Sequence, residues 1–475
     1  MPSAPIPEAG PGSQQRVPFR LVVLAAGIGL LFWLSAAARH ALLQSNAYDL
    51  GLFDQWAWLI SRGLPPISSM EEVHVLADHG AWMLYIAGGV YRLLPSVQWL
   101  LASQALALSL TALPIWWLAR QAGLPPRRCW LICGLWWLQP VVFNANLFDF
   151  HPETWVMPAF AMALWAERGE RPRLWLALLL LMLGARDGLV LITGGMALDL
   201  ACRRRWRWAG AAAALSVCWF LLLSRWLYPW LRDGEGPKAA SRMFSHLSGS
   251  PLQILDNLDW AGGSQYLLLL CLPCILFWRR RSLPTLLIAV PLVLVNLLSA
   301  SASYRSLVHH YSLPLAVVAV VAAIDAAVIQ DQNNDPVGRR LRAVLIGWVV
   351  LCWLALAKPW FFTGPYLSRL GMLSDVAAAI NRIPPTARVL TSSYIVPHIS
   401  QRQRVAFPKK KAGVDVIDTG FNIVLLNPND PGWGSSTNVQ QEWLDAALSE
   451  GWSCQKWPSK LRLCIKGQEI ETNTQ

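Results

Sequence analysis

The run Leu21-Val-Val-Leu-Ala-Ala-Gly-Ile-Gly-Leu-Leu-Phe-Trp-Leu-Ser-Ala-Ala-Ala38 decides the fold class of this chain. It carries no charged residue and approaches the roughly 20 apolar residues that a helix needs to cross a bilayer. Arg16 and Arg20 precede it, and no clear small-residue cleavage site follows before Arg39-His40. The run therefore predicts a retained transmembrane helix and not a signal peptide. Residues 1–18, rich in Pro, Gly and Ser, predict a disordered cytoplasmic tail.

The composition of the whole chain agrees with a membrane location. Of its 475 residues, 55% are hydrophobic and only 14% are charged, and the mean hydropathy is +0.37. One globular core cannot bury so much apolar surface, so we expect a polytopic membrane protein. The net charge of +12 comes from Arg-rich loops between apolar runs, which is typical of cytoplasmic loops near anionic lipid and argues against a nucleic-acid partner.

Ten further apolar runs follow the first helix and predict an α-helical polytopic membrane protein with about eleven transmembrane helices over residues 19–357. Several runs are shorter than a straight span requires. The runs lie at about residues 97–119, 129–144, 154–166, 174–185, 188–201, 209–228, 264–278, 283–300, 311–329 and 343–357.

The apolar segment Ala81 to Leu94 determines the orientation of everything after it. If it lies at the outer surface without crossing, five Arg-rich loops become cytoplasmic together, as the positive-inside rule requires. If it crosses, all five lie outside. The first choice predicts outer loops at residues 44–96, 145–153, 229–263 and 301–310.

The tail, residues 358–475, has less continuous apolarity and predicts a small soluble extracytoplasmic α/β domain. Its helices are expected at Asp375 to Arg382 and Val439 to Leu448, and its strands at Arg388 to Thr391 and Val416 to Leu426. A hairpin centred on Ser459 would place Cys454 opposite Cys464. A disulfide there is one prediction, and two separate buried thiols are the alternative.

Two carboxylates follow the first helix in Tyr48-Asp-Leu-Gly-Leu-Phe-Asp-Gln55. Asp49 can be explained as the N-cap of a helix that starts at Leu50, but a cap does not explain Asp54 and Gln55. Five residues correspond to about 140° around a helix, so the two carboxylates share a site only if Asp49 lies on the preceding loop. We expect Asp49 to point into a cavity and Asp54 to support it.

A second polar cluster, Phe148-Asp-Phe-His-Pro-Glu153, follows another apolar run. In an extended conformation Asp149, His151 and Glu153 lie on one side, where they could hold a divalent cation or a sugar hydroxyl. A solvated loop with aromatic interface anchors is the alternative. Asp78-His79 is a weaker candidate for the same site.

Cationic residues complete the set of candidates. Arg186-Asp187 interrupts an apolar stretch and predicts either a turn between two short helices or a buried pair. Arg305, His309 and His310 lie at the end of a later span, where they could bind phosphate, which Arg matches in bidentate geometry. Interfacial anchoring is the alternative.

Several of these motifs resemble a bacterial and archaeal membrane family known as domain of unknown function 2079. They are Tyr48 to Gln55, Asp78-His79, Leu101-Ala-Ser-Gln104, Asn146 to Glu153, His310-Tyr311 and Val389 to His398. The layout is also similar to the GT-C superfamily of glycosyltransferases, which take a sugar from a polyprenyl phosphate with an Asp of the first outer loop.

The resemblance implies that Asp49 is a catalytic base, with Asp149 or Glu153 as acidic partners. The family usually shows Lys-Glu-Asp where this chain has Ala185-Arg186-Asp187, which leaves open a changed substrate or an inactive protein. The expected function is transfer of a sugar from a polyprenyl-phosphate donor to an unknown acceptor at the outer face of the membrane. A transporter or lipid flippase and a non-catalytic scaffold are the alternatives, and no Walker loop or HExxH motif is present.

Overall fold

The computed structural model describes residues 16–235, 243–247, 250, 253, 256–332, 339–409 and 420–467. Residues 1–15 of the predicted tail lie outside this set. The described chain is a helical bundle with a small sheet near its C-terminus. Its α-helices are Phe19–Ala41, Leu52–Ser61, Val75–His79, Leu84–Tyr91, Gln98–Leu110, Ala112–Gln121, Pro126–Trp137, Pro140–Leu147, Met157–Arg168, Pro172–Leu183, Val190–Cys202, Trp206–Leu221, Tyr228–Leu231, Trp260–Cys271, Leu283–Leu286, Val290–Leu298, Leu313–Gln332, Arg339–Leu356, Leu373–Ile380, Val396–Ile399 and Thr437–Ser449.

Five helical segments in the described residues are long and apolar enough to cross a membrane, so the prediction of a helical, polytopic membrane protein is confirmed. They are Phe19–Ala41, Gln98–Gln121, Trp206–Leu231, Arg280–Leu298 and His310–Val328.

The count of eleven spans stays a prediction because several predicted runs form shorter helices. The run at 129–144 is divided between two helices that begin at Pro126 and Pro140. Helix Pro172–Leu183 has 12 residues, about 18 Å, against a hydrocarbon core of about 30 Å.

The bundle has two chemically different ends. At one end Arg168 and Arg203 both pair with Asp325, at 2.7 and 3.1 Å, and Arg205 pairs with Glu167. Arg-rich loops that the sequence predicts to be cytoplasmic thus meet there. The opposite ends of the same helices carry the predicted outer loops and the C-terminal sheet.

The segment Ala81 to Leu94 lies at this second end and does not cross the bundle. Its helix Leu84–Tyr91 has eight residues, too few to span hydrocarbon, and it packs on helix Leu52–Ser61. Phe53 and Trp56 of that second helix share a buried core with the C-terminal region. The segment therefore forms no helix long enough to cross a membrane, and its location at the outer surface stays a prediction.

The described part of the C-terminal region forms a sheet of five strands: β1 Val389–Thr391, β2 Val405–Ala406, β3 Ile423–Leu426, β4 Ser453–Lys456 and β5 Arg462–Ile465. Their order in the sheet is β2-β1-β3-β5-β4. β2, β1 and β3 run parallel to one another, whereas β5 is antiparallel to both β3 and β4.

Most elements predicted for this region are present. The two helices and the first strand lie within two residues of their predicted bounds; β3 begins later than expected, at Ile423, and residues 410–419 are outside the described set. Cys454 pairs with Cys464 in the β4–β5 register, and a disulfide joins them. That prediction is confirmed. Helix Thr437–Ser449 covers one face of the sheet, and the other face packs on the loop helices. The domain boundary at residue 358 stays a prediction.

Candidate active site

Asp49 lies in a short π-helical turn, Ala47–Gly51, directly before helix Leu52–Ser61. The cap of this turn is Asn46, whose side chain accepts the Tyr48 backbone N–H. Asp49 is therefore not a helix cap, and its carboxylate, 20% exposed, is available for another role. A Cβ on Gly51 would lie 3.0 Å from Val396 of the C-terminal region, so the two parts of the chain are in close contact here.

Asp149 contacts the start of this turn. Its backbone has φ +92°, in a region that L-residues rarely adopt and that is often found at functional sites. Its side chain pairs with Arg39 at the end of the first helix and accepts the Asn46 N–H at 2.9 Å. Burial raises the pKa of Asp149 to about 6, although the charge of Arg39 opposes the shift.

A buried glutamine fixes the strained loop that carries Asp149. Gln104 donates from Nε2 to the Asp149 carbonyl at 2.9 Å, and its Oε1 accepts the His151 N–H at 3.0 Å. A polar side chain at membrane depth is costly unless it is paired, and here it satisfies the backbone of a loop. Gln104 thus determines where His151 lies.

His151 connects Asp49 to a second group of charges. Its Nε2 lies 3.3 Å from Asp49 Oδ1, and its ring stacks on His310 with centroids 3.6 Å apart. Arg186 donates from Nη1 to Glu153 Oε1 and to His310 Nε2, both at 2.7 Å. Because an arginine only donates, His310 accepts through Nε2 and carries its proton on Nδ1. Arg186 therefore neutralises the charge of Glu153.

Asp187 and His79 form the next layer. His79 lies 3.1 Å from Asp78 and 3.6 Å from Asp187, and Asp187 Oδ2 accepts the Tyr228 hydroxyl at 2.9 Å. Burial alone would raise the pKa of Asp187, but the contact with His79 and the charge of Arg186 lower it to about 2. Arg186-Asp187 thus forms the predicted turn between two helices, and helix Val75–His79 brings Asp78 and His79 to it.

A small cavity of about 160 Å³ opens beside Asp49. Both ends of the chain contribute to it, since the first loop supplies one wall and the C-terminal region the other. Its lining residues are Arg39, Gln44, Ser45, Asn46, Asp49, Phe148, Arg369, Ser393, Tyr394 and Trp433.

An apolar groove of about 610 Å³ lies along the first helix, on the N-terminal side of Arg39. Tyr366 lies between the cavity and the groove. Arg39, which lines the cavity, lies over its ring at 5.6 Å from the centroid, and Phe362, which lines the groove, contacts the same ring with centroids 5.0 Å apart. The groove is lined by Ile28, Leu31, Phe32, Leu34, Ser35, Ala38, Trp137, Leu138, Phe143, Trp353, Pro359 and Phe362.

The structure does not bring every predicted residue to this site. Asp54 is buried and accepts hydrogen bonds from Tyr91 at 2.7 Å, Ser400 at 2.6 Å and Gln401 at 3.1 Å. Its carboxylate faces the C-terminal region and not the cavity, because it lies past the turn on a regular helix. These buried hydrogen bonds fit a structural role for Asp54 and not a catalytic one.

Arg305 also lies outside the site. It donates to Asp259 at 3.0 Å and to the Ser299 carbonyl. His309, by contrast, contacts Phe148 of the cavity wall with ring centroids 4.4 Å apart, and burial lowers its pKa.

Asp149, His151 and Glu153, which could hold a divalent cation or a sugar hydroxyl if they lay on one side of an extended loop, do not converge on one point. The three side chains contact Arg39, Asp49 and Arg186 respectively, because Pro152 starts a 3-10 turn that ends the extended alternation. Phe148, expected on the opposite side, lines the cavity. In the described part of the chain, no three His, Cys, Asp or Glu side chains are placed to hold a metal ion.

Sequence reasoning did not identify Arg39, Arg369 or Trp433 as site residues. Arg39 had a usable signal, since it is a cation at the end of an otherwise apolar helix. Arg369 forms two hydrogen bonds with Asp430, at 2.6 and 3.1 Å, and reaches the cavity only through the tertiary fold.

Comparison with solved structures agrees with this architecture. The chain is similar to the crystal structure of ArnT from Cupriavidus metallidurans in the apo state, with a TM-score of 0.52 and 13% identity, over 93% of this chain and 97% of that chain. At this identity the likeness shows the fold alone. The comparison with curated proteins gives no match.

The family comparison covers nearly all of the site described above. The model described as "Predicted membrane protein (DUF2079)" matches residues 39–463, from Arg39 of the cavity to the last strand of the sheet. The chain therefore belongs to the DUF2079 family of predicted membrane proteins.

Proposed function

We propose that this protein is an inverting glycosyltransferase that moves a sugar from a polyprenyl phosphate to an acceptor hydroxyl. The observation that carries the proposal is the position of Asp49, a partly exposed carboxylate in a polar cavity that adjoins an apolar groove. A sugar attached to a long isoprenoid needs these two environments side by side. The ArnT-like fold supports the same class of substrate by analogy only.

The proposed reaction is a single displacement. Asp49 accepts the proton of the acceptor hydroxyl as the hydroxyl oxygen attacks the anomeric carbon. The bond between that carbon and the phosphate oxygen breaks, and polyprenyl phosphate departs with the electron pair. His151, 3.3 Å from Asp49 and fixed by Gln104, orients the carboxylate. Inversion follows because one displacement occurs without a covalent sugar intermediate.

Arg39 is the proposed contact for the phosphate. It lines the cavity, lies above the apolar groove and uses Nη1 for Asp149. A guanidinium has five N–H donors, more than the carboxylate of Asp149 can use, so donors remain for phosphate oxygens. His309 and Arg186 are further candidates because they lie next to the cavity wall and the Asp49 network. The groove would take the first isoprene units of the donor.

We further infer that the site faces the extracytoplasmic side of the bacterial inner membrane. The Arg-rich loops meet at the other end of the bundle, as expected for a cytoplasmic face. A disulfide is typical of an oxidising compartment, and Cys454–Cys464 lies in the region beside the site.

The test is release of polyprenyl phosphate by purified protein from a panel of polyprenyl-phosphate sugars. General base catalysis typically contributes about 10²- to 10⁴-fold, so we expect Asp49→Asn to lose that much turnover. Asp445→Asn is the matched control, since Asp445 is an exposed carboxylate on helix Thr437–Ser449. Normal turnover by Asp49→Asn would exclude the base assignment. No release from any donor by well-folded wild-type protein would overturn the function.

A further inference from the structure

An exposed tryptophan stands at the wall of the Asp49 cavity. Trp433 lies in the turn Pro431-Gly-Trp-Gly434 of the C-terminal region, is 55% exposed and lines the cavity. The mechanism proposed above does not use it. Exposure alone does not distinguish it from other surface tryptophans, but its place in the lining of a polar cavity does, since aromatic side chains beside a few polar groups are common in ligand sites.

The backbone of this turn fixes the direction of the indole. Gly432 and Gly434 have φ values of +73° and +75°, which favour glycine. A Cβ at Gly432 would lie 2.7 Å from Ser393 Oγ, and one at Gly434 would lie 2.9 Å from the Phe407 ring. Neither position accepts a side chain without movement of its neighbours, so the ring between them is held in place.

Neighbouring aromatic rings support Trp433 without covering it. Tyr48 contacts it edge-on with centroids 5.3 Å apart, and Phe407 contacts it in tilted geometry at 5.9 Å. Tyr48 precedes Asp49 in the chain, so this aromatic cluster is directly coupled to the proposed base. The platform is therefore organised before any ligand arrives.

The chemistry of the cavity selects among possible ligands. A pyranose ring has an apolar C–H face and a rim of hydroxyls. The indole offers an apolar face, and Asn46, Ser45 and Asp49 offer hydrogen-bonding groups in the same cavity. A cationic ligand fits less well because Lys409 already lies over the Tyr48 ring, with Nζ 5.3 Å from its centroid.

We propose that Trp433 is the stacking platform for a sugar ring, so that the C-terminal region supplies part of the sugar-binding site. The inference rests on the proposed function and adds a specificity-determining residue to it. Because the other wall comes from the first loop, sugar recognition requires both parts of the chain.

The experiment compares Trp433→Ala, Trp433→Phe and Trp360→Ala. Trp360 is a matched control because it is also 55% exposed and is not among the lining residues of either cavity. Two quantities are measured: the KM and kcat for polyprenyl-phosphate sugars, and saturation-transfer NMR of methyl glycosides of common hexoses mixed with each protein. A stacking contact predicts that Trp433→Ala weakens binding about tenfold or more, mainly in KM, while Trp433→Phe keeps most of it.

The outcomes separate this inference from the function on which it rests. If wild type transfers sugar and Trp433→Ala behaves like Trp360→Ala in both measurements, the platform is refuted and the transferase stands. If no donor is used but glycoside saturation is lost in Trp433→Ala alone, the sugar platform stands and the transferase fails. Absence of both transfer and glycoside saturation in wild type overturns both.

Discussion

Replacement of Arg39 by Met should destabilise the protein strongly, because it leaves the carboxylate of Asp149 buried without its charge partner. The two side chains are 10% and 2% exposed, so this is a buried salt bridge and not one of the weak salt bridges found on protein surfaces. Breaking a buried pair from one side typically costs about 3 to 5 kcal/mol. We expect about 3 kcal/mol, since Asp149 keeps the Asn46 N–H.

The dependence of this loss on pH provides a sharper test than its size. Burial raises the pKa of Asp149 to about 6 against the effect of Arg39, so removal of Arg39 should raise it further. A carboxyl whose folded pKa is raised lowers the free energy of unfolding as pH rises from its unfolded pKa of about 4 to its folded pKa, and the loss is complete above the folded pKa. Wild type reaches its full loss near pH 6, whereas the loss in Arg39→Met continues to grow at higher pH. The loss caused by Arg39→Met should therefore be largest near pH 8 and smaller near pH 5, where Asp149 is protonated.

A double-mutant cycle in detergent micelles measures the coupling. The free energy of unfolding is determined by denaturant titration for wild type, Arg39→Met, Asp149→Asn and the double variant. The double variant should lose less than the sum of the single variants, because neither charge remains alone. Losses that add within about 0.5 kcal/mol, or a loss for Arg39→Met that is the same at pH 5 and pH 8, would refute this account of the pair.

Two further predictions concern the C-terminal region. His398 stacks on His40 with centroids 4.1 Å apart, and burial lowers its pKa to about 4. Because folding favours the neutral imidazole, the free energy of unfolding falls as pH decreases from about 6.5 towards 4. Between pH 7 and 5, wild type should therefore lose at most about 2 kcal/mol more of this free energy than His398→Asn. Asp149 acts in the opposite sense, and equal losses in both proteins would contradict the assignment. For orientation, a Lys460→Cys variant, exposed in the β4–β5 turn, should react with a membrane-impermeant maleimide in intact cells. The exposed Cys202 beside Arg203 should react only after lysis, and the reverse pattern would place the site in the cytoplasm.

Features that depend on local pattern could be predicted from the sequence. The first span follows from apolar length, and the turn at Arg186-Asp187 follows from an interrupted apolar run. The disulfide follows from the period-2 geometry of a hairpin, which sets Cys454 opposite Cys464. The number of spans could not be predicted, because breaks such as Leu138–Gln139 lie inside runs that are apolar over most of their length.

The partners of charged groups could not be predicted from the sequence because they come from distant parts of the chain. Arg39 and Asp149 are 110 residues apart, and Asp54 and Ser400 are 346 apart. Two carboxylates of one motif thus look equivalent in sequence and differ completely in the fold. Asp49 lies in a π-helical turn and faces a cavity, whereas Asp54 lies in a regular helix and forms buried hydrogen bonds.

This division between the two carboxylates gives the motif a physical explanation. Asp54 binds Tyr91 of the loop helices and Ser400 of the C-terminal region, so it joins the two walls of the cavity. Gly51, between the two acids, allows Val396 to approach within 3.0 Å of its Cβ position. One short segment therefore supplies a candidate base, the space for close packing and the contact that brings the C-terminal wall into place. A site assembled in this way requires the C-terminal region to be docked, which is why Asp49 and Trp433 belong to a single site although they lie at opposite ends of the chain.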